Sequence, residues 1–227
     1  MHQTEYNKFG SDYFIDRVGN DPRRQLSFLH EKEYLEKLIP QKIFETGKIL
    51  DIGCSTGEFL NAMKWGGEKH GVEISDFAKE KAITNGICFE YGVDKKSFFD
   101  IVIFRGTIQY LKNPFEYLEK VFDCLKSGGY VIFLATPNSN SIYYKLFKTL
   151  PFLEEALNYY IPSDISLSMN LKNLQYEIID ISYPYIKTPY CQFLSDHLQF
   201  LMKLTFNKNV KFPFWRSMIQ VVAQKPR

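Results

Sequence analysis

The chain has 227 residues, 45% of them hydrophobic and 24% charged, enough for one globular domain that buries its core without disulfide or metal staples. A net charge of +2 gives no electrostatic reason to expect a nucleic-acid partner, and no apolar run approaches the ~20 residues of a membrane-spanning helix. Cys54, Cys88, Cys124 and Cys191 lie in separate segments with no C-x-x-C pair, and the opening MHQTEYNKFGSDYF lacks the basic and apolar regions of a signal peptide; both point to a cytoplasmic protein with reduced thiols and no metal site.

Residues 1–20 read as an irregular arm. From Arg24 to about Ile39, Leu26, Leu29, Leu35 and Leu38 recur at helical spacing, and Pro40 is a stop signal. KILDIG at 48–53 reads as a buried strand ending in glycine, and Glu58 to Trp65 as a helix closed by Gly66-Gly67. HGVEIS at 70–75 is a second strand, followed by a helix from Asp76 to Thr84 that Asn85-Gly86 ends. ICFEYG at 87–92 is a third strand and FFDIVIF at 98–104 a fourth. Pro114 suits the first turn of a helix to Leu125, Ser127-Gly128-Gly129 is a turn, and YVIFLAT at 130–136 is a fifth strand. This alternation predicts a mostly parallel, doubly wound α/β sheet with helices on both faces. After residue 137 the rhythm gives way to about forty residues rich in aromatics and proline, before the strands YEIIDISY at 176–183 and SMIQVVAQ at 217–224.

The loop Asp51-Ile-Gly53-Cys-Ser-Thr-Gly57 sits where the first strand meets the first helix, at the carboxyl edge where doubly wound sheets bind ligands. Glycine there allows tight turning and close backbone approach, although many α/β proteins need glycine at this turn simply to pack. Glu73 ends the second strand about 20 residues on, where an acid accepts from ribose hydroxyls. That pairing indicates an adenosine nucleoside and does not say which one.

KILDIGCSTGEFL resembles the first motif of class I S-adenosylmethionine-dependent methyltransferases, GVEIS their second, and FFDIVIFRGTIQYLKNPFEYLEKVFDCLKSGGYVIFLATPN their fourth strand, following helix and fifth strand. The resemblance covers residues 45–140 well and continues to the closing strand, which in the family is antiparallel. It implies a Rossmann-like sheet of seven strands with an inserted lid: an arm and helix at 1–44, a cofactor core at 45–136, a lid with the sixth strand at 137–216 and a closing strand at 217–227. It implies S-adenosyl-L-methionine as cofactor, with Asp51 near its amino-acid end, Gly53, Cys54 and Gly57 admitting the methionyl part, and Glu73 on the ribose hydroxyls. Ile74 would pack on adenine, Asp94 would face its amino group, and Arg105 and Gly106 would line the methyl-transfer region. Where many small-molecule members carry Glu-His after the fourth strand, this chain has Gln109-Tyr110.

A hydroxyl acceptor needs a base, and Tyr13, Tyr110, His197 and Asp196 have suitable chemistry, each with a purely structural reading beside it. Arg23 and Arg24 are either a solvated face or a clamp on a phosphate or carboxylate. In the 137–200 segment, Asn138, Tyr143 and Tyr144 would wall an acceptor pocket; the alternative is a packing layer or a homodimer contact. The resemblance favours bacterial methyltransferases of surface-glycan metabolism, hence O-methylation of a sugar or nucleotide-linked sugar, with another metabolite or a lipid precursor as runner-up. Tyr144-x-x-x-Lys148 matches the pair of short-chain NAD(P) oxidoreductases, but the loop lacks their third glycine. The prolines that nucleic-acid methyltransferases carry after the fourth strand are replaced by Arg105-Gly106-Thr107. A protein that keeps the fold without catalysis is the remaining alternative.

Overall fold

The computed structural model describes residues 22–150, 153, 158–206 and 214–227. In chain order it contains α1 (Pro22–Glu36), α2 (Gln41–Thr46), β1 (Ile49–Ile52), α3 (Glu58–Ala62), β2 (Lys69–Val72), α4 (Asp76–Thr84), β3 (Phe99–Arg105), a 3-10 turn at Ile108–Tyr110, α5 (Pro114–Cys124), β4 (Leu125–Pro137), α6 (Ile142–Phe147), α7 (Asp164–Asn173), β5 (Glu177–Ser182), α8 (Phe193–Phe206) and β6 (Met218–Gln224). The strands form one sheet in the order β2-β1-β3-β4-β6-β5. β2, β1, β3 and β4 are parallel, and β6 runs antiparallel between β4 and β5.

The strands read as apolar runs because both faces of the sheet are covered. Side chains alternate along each strand. Ile49, Ile101, Ile103, Ile132 and Leu134 meet Phe28 and Leu35 of α1, Phe44 of α2, and Phe59 and Leu60 of α3. Leu50, Val102, Phe104, Val131 and Phe133 point the other way, to Leu118 and Val121 of α5 and Leu167 and Leu171 of α7.

Three expectations need correction. Among the described residues the sheet has six strands, because the expected strand at 87–92 is reduced to a single bridge between His70 and Cys88. Cys88 N–H donates to Lys69 O, but Glu90 N–H already turns to Cys88 Sγ, so the ladder stops there. Aromatic packing holds that edge instead, with Tyr91, Phe98 and Phe99 around the His70 ring. Pro40 ends one helix but also caps the next, α2, since its fixed φ suits a helix entry as well as an exit. The turn at 127–129 lies within β4, where Gly128 takes a positive φ and the register with β3 shifts.

The 137–216 stretch is more regular than its composition suggests. Ser141 caps α6 by accepting from Tyr144 N–H, and Ser163 and Ser166 form a reciprocal capping box on α7. Tyr143, Leu150 and Phe214 make a third small core with Phe147 and Phe200 packed against it. The first 21 residues, and Tyr13 with them, lie outside the described residues.

Candidate functional site

β1 carries the chain to the carboxyl edge of the sheet and the loop turns it into α3. Gly53 and Gly57 both take positive φ, which side chains with a Cβ resist. Space is a second constraint: a Cβ on Gly53 would stand 2.5 Å from Thr107 Cγ2, and one on Gly57 would stand 2.8 Å from Ile87 Cγ1. Gly53 N–H donates to Val72 O at 2.7 Å and Cys54 N–H to the same oxygen at 3.2 Å. Asn85, at the end of α4, donates from its side chain to Thr56 O at 2.7 Å. Burial pushes the Cys54 thiol well above its ordinary range, so it sits in the loop as a neutral thiol.

Glu73 closes over this loop from the end of β2. One carboxylate oxygen accepts from Ser55 N–H at 2.9 Å; the other accepts from Ile74 N–H at 2.8 Å and Ser75 N–H at 2.9 Å. A carboxylate offers about four acceptor positions, so one remains for an outside hydroxyl. Ile74 beside it leaves its side chain uncovered. Asp94 lies apart: its side chain is 88% exposed and faces Lys120 at 3.7 Å.

Asp51 is the most perturbed acid of the site. Burial raises its pKa from 3.8 to about 7; the Arg105 charge opposes the rise and the Glu73 and Glu31 charges add to it. Its Oδ1 has no hydrogen-bond partner among the described residues. A buried carboxylate oxygen without a donor is costly, and an ammonium group brought to it would remove that cost. With the glycine cradle and the Glu73 carboxylate, these residues fit the amino-acid and ribose parts of S-adenosylmethionine.

Arg105, at the end of β3, turns away from the loop toward α1. It pairs with Glu31 through Nε at 2.7 Å and a second nitrogen at 3.3 Å, and its guanidinium lies 4.5 Å from the centre of the Phe28 ring. Gly106 takes a positive φ as the chain leaves the sheet. Gln109 is buried; its side-chain N–H donates to Gly106 O at 2.8 Å, and its backbone carbonyl accepts from Tyr159 and Tyr160 N–H. Gln109 thereby fastens the 158–160 stretch to the edge of the sheet, and Tyr110 beside it is half-buried at the end of the 3-10 turn.

A cavity of about 670 Å³ opens at this edge, between α1, the carboxyl ends of β3, β4 and β5, and the start of β6. Arg105 and Ala135 line it from β3 and β4. Tyr34, Tyr183, Tyr185, Tyr190 and Trp215 supply aromatic walls, and Arg23, Lys37 and Lys187 supply cations. Most of these residues escaped the sequence reading. Their signal was there in YPYIKTPY at 183–190, three tyrosines and two prolines in eight residues, but nothing in the sequence aligned that stretch with Arg105.

The other predicted site residues divide. Arg23 lines the cavity and lies over the Tyr190 ring, whereas Arg24 faces Glu58 of α3 at 3.4 Å. Asn138 is buried, donating to Arg216 O and accepting from Asn140 and Asp164 N–H. Tyr143 is buried against Phe147 and Phe200, and Tyr144 is half-buried against the same cluster. Asp196 is buried and accepts from Tyr185 O–H at 2.8 Å. His197 lies between the Phe193 and Phe214 rings, with Nδ1 2.6 Å from Phe193 O. Lys148 caps the end of α6 with a positive φ, so Tyr144 and Lys148 do not share a regular helical turn.

The loop, the acid at the end of β2 and the strand order define a class I nucleoside-cofactor fold, and comparison with known proteins agrees. A family model described as a methyltransferase domain matches residues 23–180, more than half of the chain, and the chain belongs to that S-adenosylmethionine-dependent methyltransferase family. A carboxy-S-adenosyl-L-methionine synthase of Campylobacter hominis is 26% identical over 146 residues, 57% of this chain. The match spans only 60% of that relative's length. A SAM-dependent methyltransferase of Thermotoga maritima superposes with a TM-score of 0.64 at 18% identity over the whole of both chains. One from Archaeoglobus fulgidus gives 0.61 at 19% identity, covering 88% of this chain and 95% of its own.

Proposed function

We propose that the protein transfers the methyl group of S-adenosylmethionine to a hydroxyl of a small molecule, most consistent with a sugar or nucleotide-linked sugar. The observation that carries this is the cavity at the carboxyl edge of the sheet, lined by Arg105 and Ala135 and walled by tyrosines and cations. Tyrosine faces and hydroxyls suit a sugar, and Arg23, Lys37 and Lys187 suit a phosphate or carboxylate attached to it.

In this reading the sulfonium supplies an electrophilic methyl when the cofactor is bound. Asp51 receives the cofactor ammonium, Glu73 holds a ribose hydroxyl with its remaining acceptor position, and Ile74 covers adenine. With the cofactor bound, its sulfonium would offer the methyl group to an acceptor hydroxyl held in the cavity, with S-adenosylhomocysteine as the other product. Much of the acceleration comes from alignment, which the α1 wall, fixed by the Glu31–Arg105 pair, provides. The acceptor proton passes to a base. His30, which lines the cavity, takes this role in preference to His197, which the cavity does not reach.

The test is an acceptor screen with the purified chain and methyl-labelled cofactor, presenting free sugars, sugar phosphates and nucleotide sugars. Label on a sugar-containing product supports the reading. Binding of S-adenosylhomocysteine with no labelled product overturns catalysis on this class. The likeness to a carboxy-S-adenosylmethionine synthase favours a second reading, in which the cofactor itself is modified; mass analysis of recovered cofactor in the same assay detects it.

A further inference from the structure

The floor of the cavity is longer than one sugar ring needs. It is laid by Arg105 of β3, Ala135 of β4, Met218 and Gln220 of β6 and Ser182 of β5, four strands that lie side by side in the sheet. Three strand spacings of about 4.8 Å make it roughly 14 Å across. Its two ends differ. At one end β3 adjoins β1, with Phe104 paired to Ile52, and Thr107 packs against Gly53 of the glycine loop. At the other, β5 is the far edge of the sheet. There Tyr34 O–H donates to Asp180, and Lys37, three residues further on, joins the lining. A single ring held at Arg105 for methyl transfer would leave the β6 and β5 part of this floor unused.

That part has its own chemistry. Tyr183 and Tyr185 line it, but both hydroxyl protons are committed elsewhere. Tyr183 O–H donates to Asp164 at 2.6 Å and Tyr185 O–H to Asp196 at 2.8 Å, and neither aspartate belongs to the cavity lining. The hydroxyls are thus drawn away, and ring surface is what these residues give the cavity. Trp215, 58% exposed and three residues before Met218, adds a third ring. Charge completes the picture. Among the described residues the lining holds four Lys and Arg against two acids, Glu31 and Glu33, and Glu31 is already bound to Arg105. Lys37 and Lys187 are exposed, and among the described residues neither makes an ion pair or hydrogen bond. Aromatic faces take up a planar heterocycle, and lysines without an acid partner take up phosphate. We propose that Lys37, Lys187, Tyr183, Tyr185 and Trp215 form a nucleoside diphosphate subsite, with the base against the rings, the phosphates against the lysines, and the attached group reaching Arg105 at the β3 end. This rests on the proposed function and narrows it to an acceptor delivered on a nucleotide, because a free sugar would use neither the rings nor the lysines.

Calorimetry on the full chain saturated with S-adenosylhomocysteine tests this, comparing uridine, cytidine, guanosine and thymidine diphosphates with pyrophosphate and glucose 1-phosphate. At least one of the nucleotides should bind about tenfold tighter than either base-free probe, and its affinity should fall as salt is added. It should also quench tryptophan fluorescence, because Trp215 is exposed while Trp65, the other tryptophan, is buried; Trp215→Phe should abolish the quench. The double variant Lys37→Ala, Lys187→Ala should weaken nucleotide binding about tenfold at an unchanged melting temperature. If that variant does not fold, Lys187→Gln is read in the same way. Base-free probes that bind as tightly as every nucleotide overturn the subsite, as does a wild-type chain that binds no nucleotide. So does a folded lysine variant with unchanged nucleotide affinity. Methyl label on a free sugar, without nucleotide binding, would overturn the subsite and leave methyl transfer standing. Failure to bind S-adenosylhomocysteine would instead count against the methyltransferase reading, and the nucleotide titrations are then read on the chain alone.

Discussion

If Asp51 receives the cofactor ammonium as proposed, it should couple cofactor binding to pH. Its carboxyl titrates near 7 in the folded chain against 3.8 in the unfolded one, so between those values the folded state holds the extra proton. Stability from this group is therefore lost as pH rises from about 4 to about 7. A cofactor ammonium favours the ionised form and opposes that loss. Affinity for S-adenosylhomocysteine should thus rise as pH increases from about 6 to 8, with proton release on binding. Calorimetry in buffers of different ionisation heat measures both effects; Asp51→Asn should flatten the profile, and an unchanged profile would place the ammonium elsewhere. Glu73 holds the loop through three backbone N–H groups, and in the proposed reading it also holds the ribose. Glu73→Ala should weaken S-adenosylhomocysteine by about 2 kcal/mol, the scale of hydrogen bonds to a charged group. It should also cost some stability, since three N–H donors lose their acceptor. Normal affinity in that variant would refute the ribose assignment.

At the scale of elements, the 137–216 stretch contains two different things. The α6 end is packed: Tyr143 sits edge-on to Phe147 and within ring contact of Phe200 and Phe214. Tyr143→Ala should therefore destabilise the protein by about 3 kcal/mol, as truncation of a buried aromatic does, with S-adenosylhomocysteine affinity within about twofold of wild type. Urea unfolding and calorimetry together check this; a stability loss under 1 kcal/mol would remove Tyr143 from the core. The 182–190 loop, by contrast, turns its tyrosines to the cavity. Helix α1 faces it with Arg23, His30 and Tyr34, and Tyr34 O–H donates to Asp180 at 2.7 Å, tying α1 to β5. The cavity proposed for the acceptor is thus walled largely by α1 and by residues 182–190, which lie far apart in the sequence.

For the whole molecule, ligand binding should register as stability. With S-adenosylhomocysteine at about 100 times its dissociation constant, mass action adds about 2.7 kcal/mol. A domain of this size gains roughly 2–4 °C in melting temperature per kcal/mol, so a shift of about 5–10 °C is expected in a thermal scan. The same concentration of NAD should give none. A shift with NAD and none with the homocysteine product would reverse the cofactor assignment.

Much of the cofactor half was legible in the sequence, because its determinants are local. Gly53 and Gly57 are required by backbone φ and by the absence of room for a Cβ, and Glu73 follows at the end of the next strand. Alternating apolar runs and capped helices announced β1 to β4. The missing strand at 87–92 was less legible, since pairing depends on where a neighbour's N–H groups point, and the Cys88 thiol draws the Glu90 donor away. The cavity lining was hidden for a related reason. Tyr143 and Tyr183 look alike in sequence; only packing buries the first against Phe200 and Phe214 and turns the second to a cavity. The chain's own residues determined a nucleoside-binding turn, because such a turn is specified within one strand–loop–helix unit. Which aromatic faces the cavity, and that α8 presents leucines while burying Asp196 and Lys203, was decided only by long-range contacts that no local pattern encodes.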